Sequence, residues 1–427
     1  MRIRKIAASI GGIAAVAASL ALLPPSAYAD YGPSPTDVVG VGSDTVQAAG
    51  DFVADGDFLG DPGYNTSGNL NKFINLDATA DVNTRLAYGS FGTGTGTTAA
   101  ANACTPGTGA TQGTGNQNTT HTGDKPCVLN PTVVLRAGLS PVQRPNGSGA
   151  GYNLLKADTN TTTGIGLGLV DFARASSARG VNALFDSVQI GNDPLGMLTS
   201  STTNATNGLS IAQLKSIYQC TTTNWNQVGT GTGVIVPLMP QIGSGTRTYF
   251  EGAIGVTDST LGSCVQNVEE NDPEAIDASS SPANTVEPMS QSRLYLFQGK
   301  LANGTSNGVG GYFKDPSCVA DSTTAPACTT GSTLNPNVKL WTTAVTGTAT
   351  PTDSGALFYP TRPLYVYFRH ADIASTTIFQ PGGTLNWVRT MLYNPGGSTP
   401  YWCSAAGKAD ITASGIIPAC TYTASGP

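Results

Sequence analysis

The sequence has few of the residues on which hydrolytic enzymes and nucleic-acid-binding proteins depend. Charged residues make up 11% of the 427 positions, and the two histidines are His121 and His370. With two histidines, the sequence offers few residues from which a Ser-His-Asp triad could form. The formal net charge of −6 argues against nucleic acid as a partner. We therefore expect neither catalysis nor nucleic-acid binding.

Cysteine is lacking near the N-terminus, since the first cysteine is Cys104. The chain opens with three basic residues, an apolar run over 6–23 and the small-x-small sequence Ala27-Tyr28-Ala29, a pattern typical of a signal peptide cleaved after Ala29. Cleavage leaves 18 Lys and Arg against 27 Asp and Glu, a net charge of −9. Because no cysteine follows the apolar run to carry a lipid, we expect a secreted protein, periplasmic if the cell has an outer membrane.

Metal-binding cysteine patterns are lacking too. The eight cysteines include no C-x-x-C pair, and an exported chain meets an oxidising compartment, so disulfides are expected and zinc or another cofactor is not. Cysteines that neighbour each other in sequence enclose loops rich in Gly, Thr, Ser or Pro. The predicted pairs are Cys104/Cys127, Cys220/Cys264, Cys318/Cys328 and Cys403/Cys420.

One local pattern occurs three times: an apolar strand, a Gly-Ser turn and the start of a helix. The turns are Gly42-Ser43-Asp44-Thr45, Gly147-Ser148-Gly149 and Gly243-Ser244-Gly245-Thr246-Arg247. The first amides of a helix have no intrahelical partner and lie at the positive end of its dipole, so an oxyanion binds well there. A single Gly-Ser turn is more often only a helix cap. Three of them in the same context predict a shared anion site.

Length and composition predict the domain organisation. A mature chain of roughly 400 residues exceeds what one hydrophobic core usually serves, so two lobes are expected. Residues 90–126 are Gly, Thr, Asn and Ala repeats without an apolar period, which indicates a surface insertion. The predicted boundaries are 1–29 for the signal peptide, 30–198 for lobe 1, 199–355 for lobe 2 and 356–427 for a return to lobe 1.

The order of these motifs resembles the phosphate-binding proteins of bacterial phosphate uptake systems. The blocks that carry the resemblance are GSDT, NGSGAG, VDFARAS, LSIAQLKSIYQCTTTNWNQV followed by VIVPLMPQIGSGTRTYF, and RPLYVYF. The resemblance implies a type II periplasmic-binding-protein fold, in which two α/β lobes are joined by two crossing strands, here with a loop-rich insertion. It also implies phosphate held in the cleft between the lobes, delivery to the permease of an ABC transporter, and a monomer.

The resemblance also assigns residues to the site. Thr45 and Ser148 would contact the anion from lobe 1, with a second group of contacts from the third turn in lobe 2. Arg247 would supply a charge-assisted, bidentate contact. The full predicted set includes the neighbours of these motifs and comprises Ser43, Asp44, Thr45, Ser148, Gly149, Arg174, Ser176, Ser244, Gly245, Thr246 and Arg247.

Two departures from the family pattern leave the ligand open. Ser176 stands where many relatives have an aspartate that accepts a proton from phosphate, and Asp44 is a candidate replacement. Pro240 stands at the usual arginine position, so Arg247 is expected to replace that arginine. Two alternatives to phosphate capture follow: an enzyme with one of the turn serines as nucleophile, and a secreted surface or matrix protein that keeps the fold with a lost or changed ligand.

Overall fold

The computed structural model describes residues 32–57, 59–67, 72–78, 132–140, 142–205, 208–273, 275–276, 279–308, 338–341, 358–374 and 387–426. Four predictions lie outside these residues: the signal peptide, the 90–126 insertion, and the disulfides Cys104/Cys127 and Cys318/Cys328. Within the described ranges, no helix is both long enough and apolar enough to span a bilayer.

Strands and helices are interspersed along the described chain, as expected for an α/β protein. The strands are β1 (Val38–Gly42), β2 (Phe73–Asn75), β3 (Thr132–Val133), β4 (Val142–Gln143), β5 (Phe172–Ala175), β6 (Phe185–Ser200), β7 (Val236–Pro240), β8 (Gln266–Val268), β9 (Thr285–Ser290), β10 (Val338–Leu340), β11 (Thr361–Arg369) and β12 (Ile417–Thr423). The α-helices are α1 (Gln47–Asp55), α2 (Ser148–Ala157), α3 (Ile211–Tyr218), α4 (Gly245–Ile254), α5 (Gln291–Phe297), α6 (His370–Ala374), α7 (Trp387–Met391) and α8 (Ala405–Ala413).

Ten of the described strands form one mixed sheet in the order β2-β1-β5-β11-β6-β9-β7-β8, with β10 and β12 also paired to β6, while β3 and β4 form a separate antiparallel pair. At one end β1 runs parallel to β2 and β5, and at the other β7 runs parallel to β8 and β9. We call β1, β2 and β5 with α1 and α2 the first half, and β7, β8 and β9 with α3, α4 and α5 the second half. Strands β6 and β11 lie between them.

Strand β6 crosses from one half to the other. Its Phe185–Pro194 part pairs with β11, and its Leu195–Thr199 part pairs with β9. Val188 and Ile190 belong to the hydrophobic core that β1 and α1 line, whereas Leu195 belongs to the core that α3 and α4 line. One continuous strand therefore serves two cores.

The chain crosses between the halves again just before β11. Phe358 packs in the core of the second half, and Pro360 accepts a hydrogen bond from the Leu195 amide at 2.8 Å. Leu364 and Phe368, further along the same segment, pack in the first half. The predicted fold class, an α/β protein of the type II periplasmic-binding kind, is confirmed, while the lobe boundaries given above stay predictions.

Local predictions in the second half are confirmed where the structure describes them. The apolar spacing of α3 places Ile211, Leu214 and Ile217 in the core, and Ser210 caps the helix by accepting a hydrogen bond from the Gln213 amide at 3.2 Å.

Two of the four predicted disulfides are present, linking Cys220 to Cys264 and Cys403 to Cys420.

Candidate functional site

The three Gly-Ser turns share a backbone conformation that only glycine adopts readily. Gly42 has a φ of +118°, and Gly147 and Gly243 each have a φ of +92°. Each turn leads from the end of a strand, or from a short extended segment, into the first residues of α1, α2 or α4. The glycine reverses the chain direction without a Cβ, so each helix N-terminus can approach the others closely.

The second and third turns meet across the two halves. The Gly149 amide donates to the Gly243 carbonyl at 2.8 Å. The hydroxyls of Ser148 and Ser176 lie 3.3 Å apart, and the Ser176 amide donates to the Ser148 hydroxyl at 3.0 Å. A Cβ on Gly245 would overlap both of these serine hydroxyls. The start of α4 is therefore seated against the serine pair of the first half.

The first and third turns meet at a pair of threonines. Thr45 and Thr246 place their hydroxyl oxygens 3.5 Å apart, and both side chains are buried. Arg362, near the start of β11, donates to the Thr246 hydroxyl at 2.8 Å and to the Thr45 hydroxyl at 3.2 Å. Its guanidinium also lies 3.5 Å from the Ser176 carbonyl. Arg362 thus connects the threonine pair with the serine pair.

Asp193 holds this guanidinium in place. It lies opposite Arg362 in the β6–β11 register and accepts from Nε at 3.0 Å and from Nη2 at 2.8 Å. Its other oxygen accepts from the Ser290 hydroxyl and the Ser292 amide. Because both Asp193 oxygens are satisfied and both residues of the ion pair are fully buried, the orientation of the guanidinium is well determined.

A carboxylate lies among these donors. Oε1 of Glu270, which follows β8, accepts from the Thr246 hydroxyl at 2.6 Å, from the Thr246 amide at 3.2 Å and from the Thr45 hydroxyl at 3.2 Å. The adjacent Asn271 has a φ of +58°, which asparagine tolerates. Its side chain donates to Asp44 and to Thr45, both at 3.1 Å. The loop after β8 therefore faces the first turn directly.

The structure places two of the predicted arginines away from these hydroxyls. Arg247 pairs with Glu251 at 3.1 Å and with Asp258, and it donates at 2.8 Å to Asn267 and to the carbonyl of Pro240. The guanidinium that contacts the threonine pair in this structure is that of Arg362, whereas the Arg247 side chain extends back along β7.

Arg174 has a supporting position. Its guanidinium donates to Asn75 and to the carbonyls of Leu76, Gly42 and Ser43. Burial lowers its pKa to about 10. Arg174 therefore fixes the backbone of the first turn and points its donors at carbonyl oxygens.

Other predicted residues are capping or paired groups. The Ser244 hydroxyl accepts from the Arg247 amide at 3.1 Å and caps α4. Asp44, the candidate proton acceptor, pairs with Arg293 at 3.3 Å and with Asn271. The Ser43 amide donates to the Arg174 carbonyl at 3.0 Å. We call the group of contacts around the threonine pair and the serine pair the seam. The predicted residues that take part in it are Thr45, Ser148, Gly149, Ser176, Gly245 and Thr246.

Sequence reasoning missed Arg362, Asp193 and Glu270. Arg362 stands inside the RPLYVYF block, in the segment 356–427 that is predicted to return to lobe 1. An arginine directly before an apolar run, in a chain with 11% charged residues, is the signal that could have pointed to it. Glu270 follows a short strand in a segment with no recognisable motif, and its position depends on tertiary contacts alone.

The site consists mainly of hydrogen-bond donors from side chains and backbone. Among the residues that the structure describes, no group of three or more His, Cys, Asp or Glu is arranged to hold a metal ion. Hydroxyls, an amide and a guanidinium are the groups that proteins use to hold oxyanions. The absence of catalytic activity stays a prediction.

Two α/β halves joined by crossing strands, with polar side chains meeting at a buried seam between them, define a binding protein of the periplasmic type. The sequence pattern of the family described as PBP superfamily domain matches residues 87–372. The chain belongs to this family. Comparison with curated protein sequences finds no match.

Solved structures with a similar fold share little sequence with this chain. An ABC-type phosphate transport receptor from Vibrio cholerae is 18% identical, with a TM-score of 0.38 over 64% of this chain and 86% of that one. PstS from Borrelia burgdorferi is 14% identical, with a TM-score of 0.33 over 64% and 85%. A human phosphate binding apolipoprotein is 15% identical, with a TM-score of 0.34 over 66% and 86%.

Proposed function

We propose that this protein captures inorganic phosphate, or a similar tetrahedral oxyanion, between its two halves without covalent chemistry. The observation that carries the proposal is the convergence of four hydroxyls, the Thr246 amide and the Arg362 guanidinium at one buried seam. Each group is a donor toward an anion, and together they come from both halves, so a ligand held by all of them links the halves.

The charge balance supports recognition by hydrogen bonds more than by net charge. Arg362 is already neutralised by Asp193, so the site offers directed donors in place of an excess of positive charge. Such a site discriminates between anions by their geometry, because each donor must lie about 2.7–3.0 Å from an oxygen of the anion. Tetrahedral oxyanions supply four such oxygens around one centre.

In the cell the protein would act as a secreted solute-binding component that delivers the anion to an ABC permease. This proposal rests on the predicted signal peptide and on the motif resemblance to phosphate uptake proteins. We further propose that it works as a monomer, because the two halves that form the site belong to one chain.

Calorimetric titration of the purified protein with phosphate and with sulfate tests the proposal. We expect one-to-one phosphate binding that weakens about tenfold or more in Thr45→Val, since a hydrogen bond to a charged group is worth about 1.5–3 kcal/mol. Thr248→Val is the matched control, because Thr248 lies on α4 and its hydroxyl donates to the Ser244 carbonyl, away from the threonine pair. Absence of binding by the folded wild type would refute phosphate capture.

A second candidate is a secreted protein that keeps the fold with a lost or changed ligand. The position of Glu270 favours it, because a carboxylate oxygen already accepts from the two threonine hydroxyls and the Thr246 amide. Under this alternative, the wild type gives no heat with either anion.

A further inference from the structure

Glu270 makes the contacts that an oxyanion would make. Its Oε1 accepts two hydroxyl hydrogen bonds and the Thr246 amide, which is one of the first amides of α4. The partners come from both halves, since Thr45 precedes α1 and Thr246 opens α4. The residue is fully buried. A carboxylate at a helix N-terminus is favoured by the helix dipole in the same way as a bound anion.

Neighbouring polar contacts hold this carboxylate at the seam. The Glu270 amide donates to Gln241 at 2.7 Å. Gln241 donates to Asn146 at 3.0 Å, and Asn146 donates to both carboxylate oxygens of Glu269 at 3.0 Å. These contacts join the segment just before the second turn to the β7 and β8 ends. The contacts of Gln241 and Glu269 with Asn146 therefore hold the loop that carries Glu270 against the first half, in addition to the contacts of Glu270 itself.

We infer that Glu270 is an internal competitor for the oxyanion site, a tethered carboxylate that lowers the affinity for every external anion. The inference rests on the proposed function, because the donors it occupies are those assigned to the ligand. An incoming anion must displace the carboxylate from the Thr246 amide and from both hydroxyls. If an anion with no proton to donate, such as sulfate, binds beside the carboxylate, two negative charges share one buried site, which is unfavourable at low dielectric.

A glutamine at position 270 tests the effect of the side-chain charge while the side-chain shape is kept. Glu270→Gln keeps the side-chain length and an acceptor oxygen but removes the negative charge, so it competes less well for the helix N-terminus. We expect the Kd values for phosphate and for sulfate both to fall by about tenfold or more in this variant. Glu251→Gln is the matched control, because Glu251 lies on the same helix α4 and pairs with Arg247, away from the seam.

Hydrogen exchange at the start of α4 supplies a readout that needs no ligand. The Thr246 amide donates to Glu270, so the peptide that begins α4 should exchange faster in Glu270→Ala than in the wild type. Equal exchange rates would show that the carboxylate does not occupy the donors in solution and would overturn the inference.

The titrations distinguish a failure of internal competition by Glu270 from a failure of the proposed phosphate capture. If the wild type binds phosphate and Glu270→Gln binds both anions no more tightly, internal competition is refuted and phosphate capture stands. If neither protein binds either anion, phosphate capture is refuted. The exchange rates then decide whether Glu270 occupies these donors, with faster exchange in Glu270→Ala supporting the inference and equal rates refuting it.

Discussion

Arg247 and Arg362 show that the direction of a side chain determines which guanidinium contacts the threonine pair. Arg247 directly follows the Ser-Gly-Thr of the third turn, and Arg362 lies 115 positions further along the chain. The helix start turns the Arg247 side chain toward Glu251 and Asp258, whereas the β6–β11 register turns Arg362 toward the threonine pair. The guanidinium of the site therefore comes from the returning strand.

Lysine substitutions at these two positions should differ in their effect on phosphate affinity. Arg362→Lys keeps the charge that Asp193 needs but loses the fork that reaches two hydroxyls at once, so phosphate affinity should fall about tenfold or more. Arg247→Lys should change that affinity by less than about twofold, because its contacts lie outside the seam. Calorimetric titration of both variants, with thermal melts to verify folding, checks this. Loss of binding in Arg247→Lys alone would restore the sequence-based assignment.

At the scale of elements, the three turns work because glycine allows three helix starts to approach one another. Gly147 has a φ of +92°, and a Cβ there would lie 2.6 Å from the Gly243 carbonyl oxygen in the other half. The strand-turn-helix unit therefore supplies the close approach, and the serines and threonines next to the glycines supply the donors.

Alanine at Gly147 should disturb both the turn and the seam. The positive φ and the overlap with the Gly243 carbonyl should lower the free energy of unfolding by about 1–3 kcal/mol and weaken anion binding. Gly252 is the matched control, since it lies within α4 and a Cβ there meets nothing within 4 Å. Gly252→Ala should raise stability by about 0.5–1 kcal/mol. Chemical denaturation of both variants measures the difference, and equal effects would contradict the account.

At the scale of the whole molecule, buried carboxylates link stability to pH. Burial raises the pKa of Glu287 on β9 well above 4.5, and nearby Asp272 raises it further. Burial raises the pKa of Asp372 to about 7, against the opposing effect of Arg369. These groups bind protons in the folded chain that the unfolded chain releases at lower pH.

Stability should therefore fall as the pH rises from the ordinary carboxyl range through neutrality. The contribution is fully present below the unfolded pKa and is lost as the pH passes the raised folded pKa. Glu287→Gln should flatten this decline, measured as the difference in Tm between about pH 5 and about pH 8. Asp55→Asn, which removes an exposed carboxylate at the end of α1, is the control. An unchanged slope in Glu287→Gln would show that this group does not titrate as described.

Much of the architecture was predictable because local sequence patterns determine local structure. The apolar spacing of α3, its Ser210 cap and the three Gly-Ser turns depend on residues within a few positions of one another. Two disulfides were also predictable, because each joins cysteines that neighbour each other in sequence and enclose a loop rich in Gly, Thr, Ser or Pro.

The sequence by itself predicted the strand-turn-helix units from glycine conformation and helix-terminus chemistry. Its resemblance to a known family implied the α/β class and six of the residues that meet at the seam. Only the tertiary structure decided which arginine faces the threonine pair and that Glu270 lies among the donors. Those outcomes depend on strand register and on contacts between residues more than 100 positions apart, such as Thr45 with Glu270 and Thr246 with Arg362. Such contacts leave no signal in local spacing.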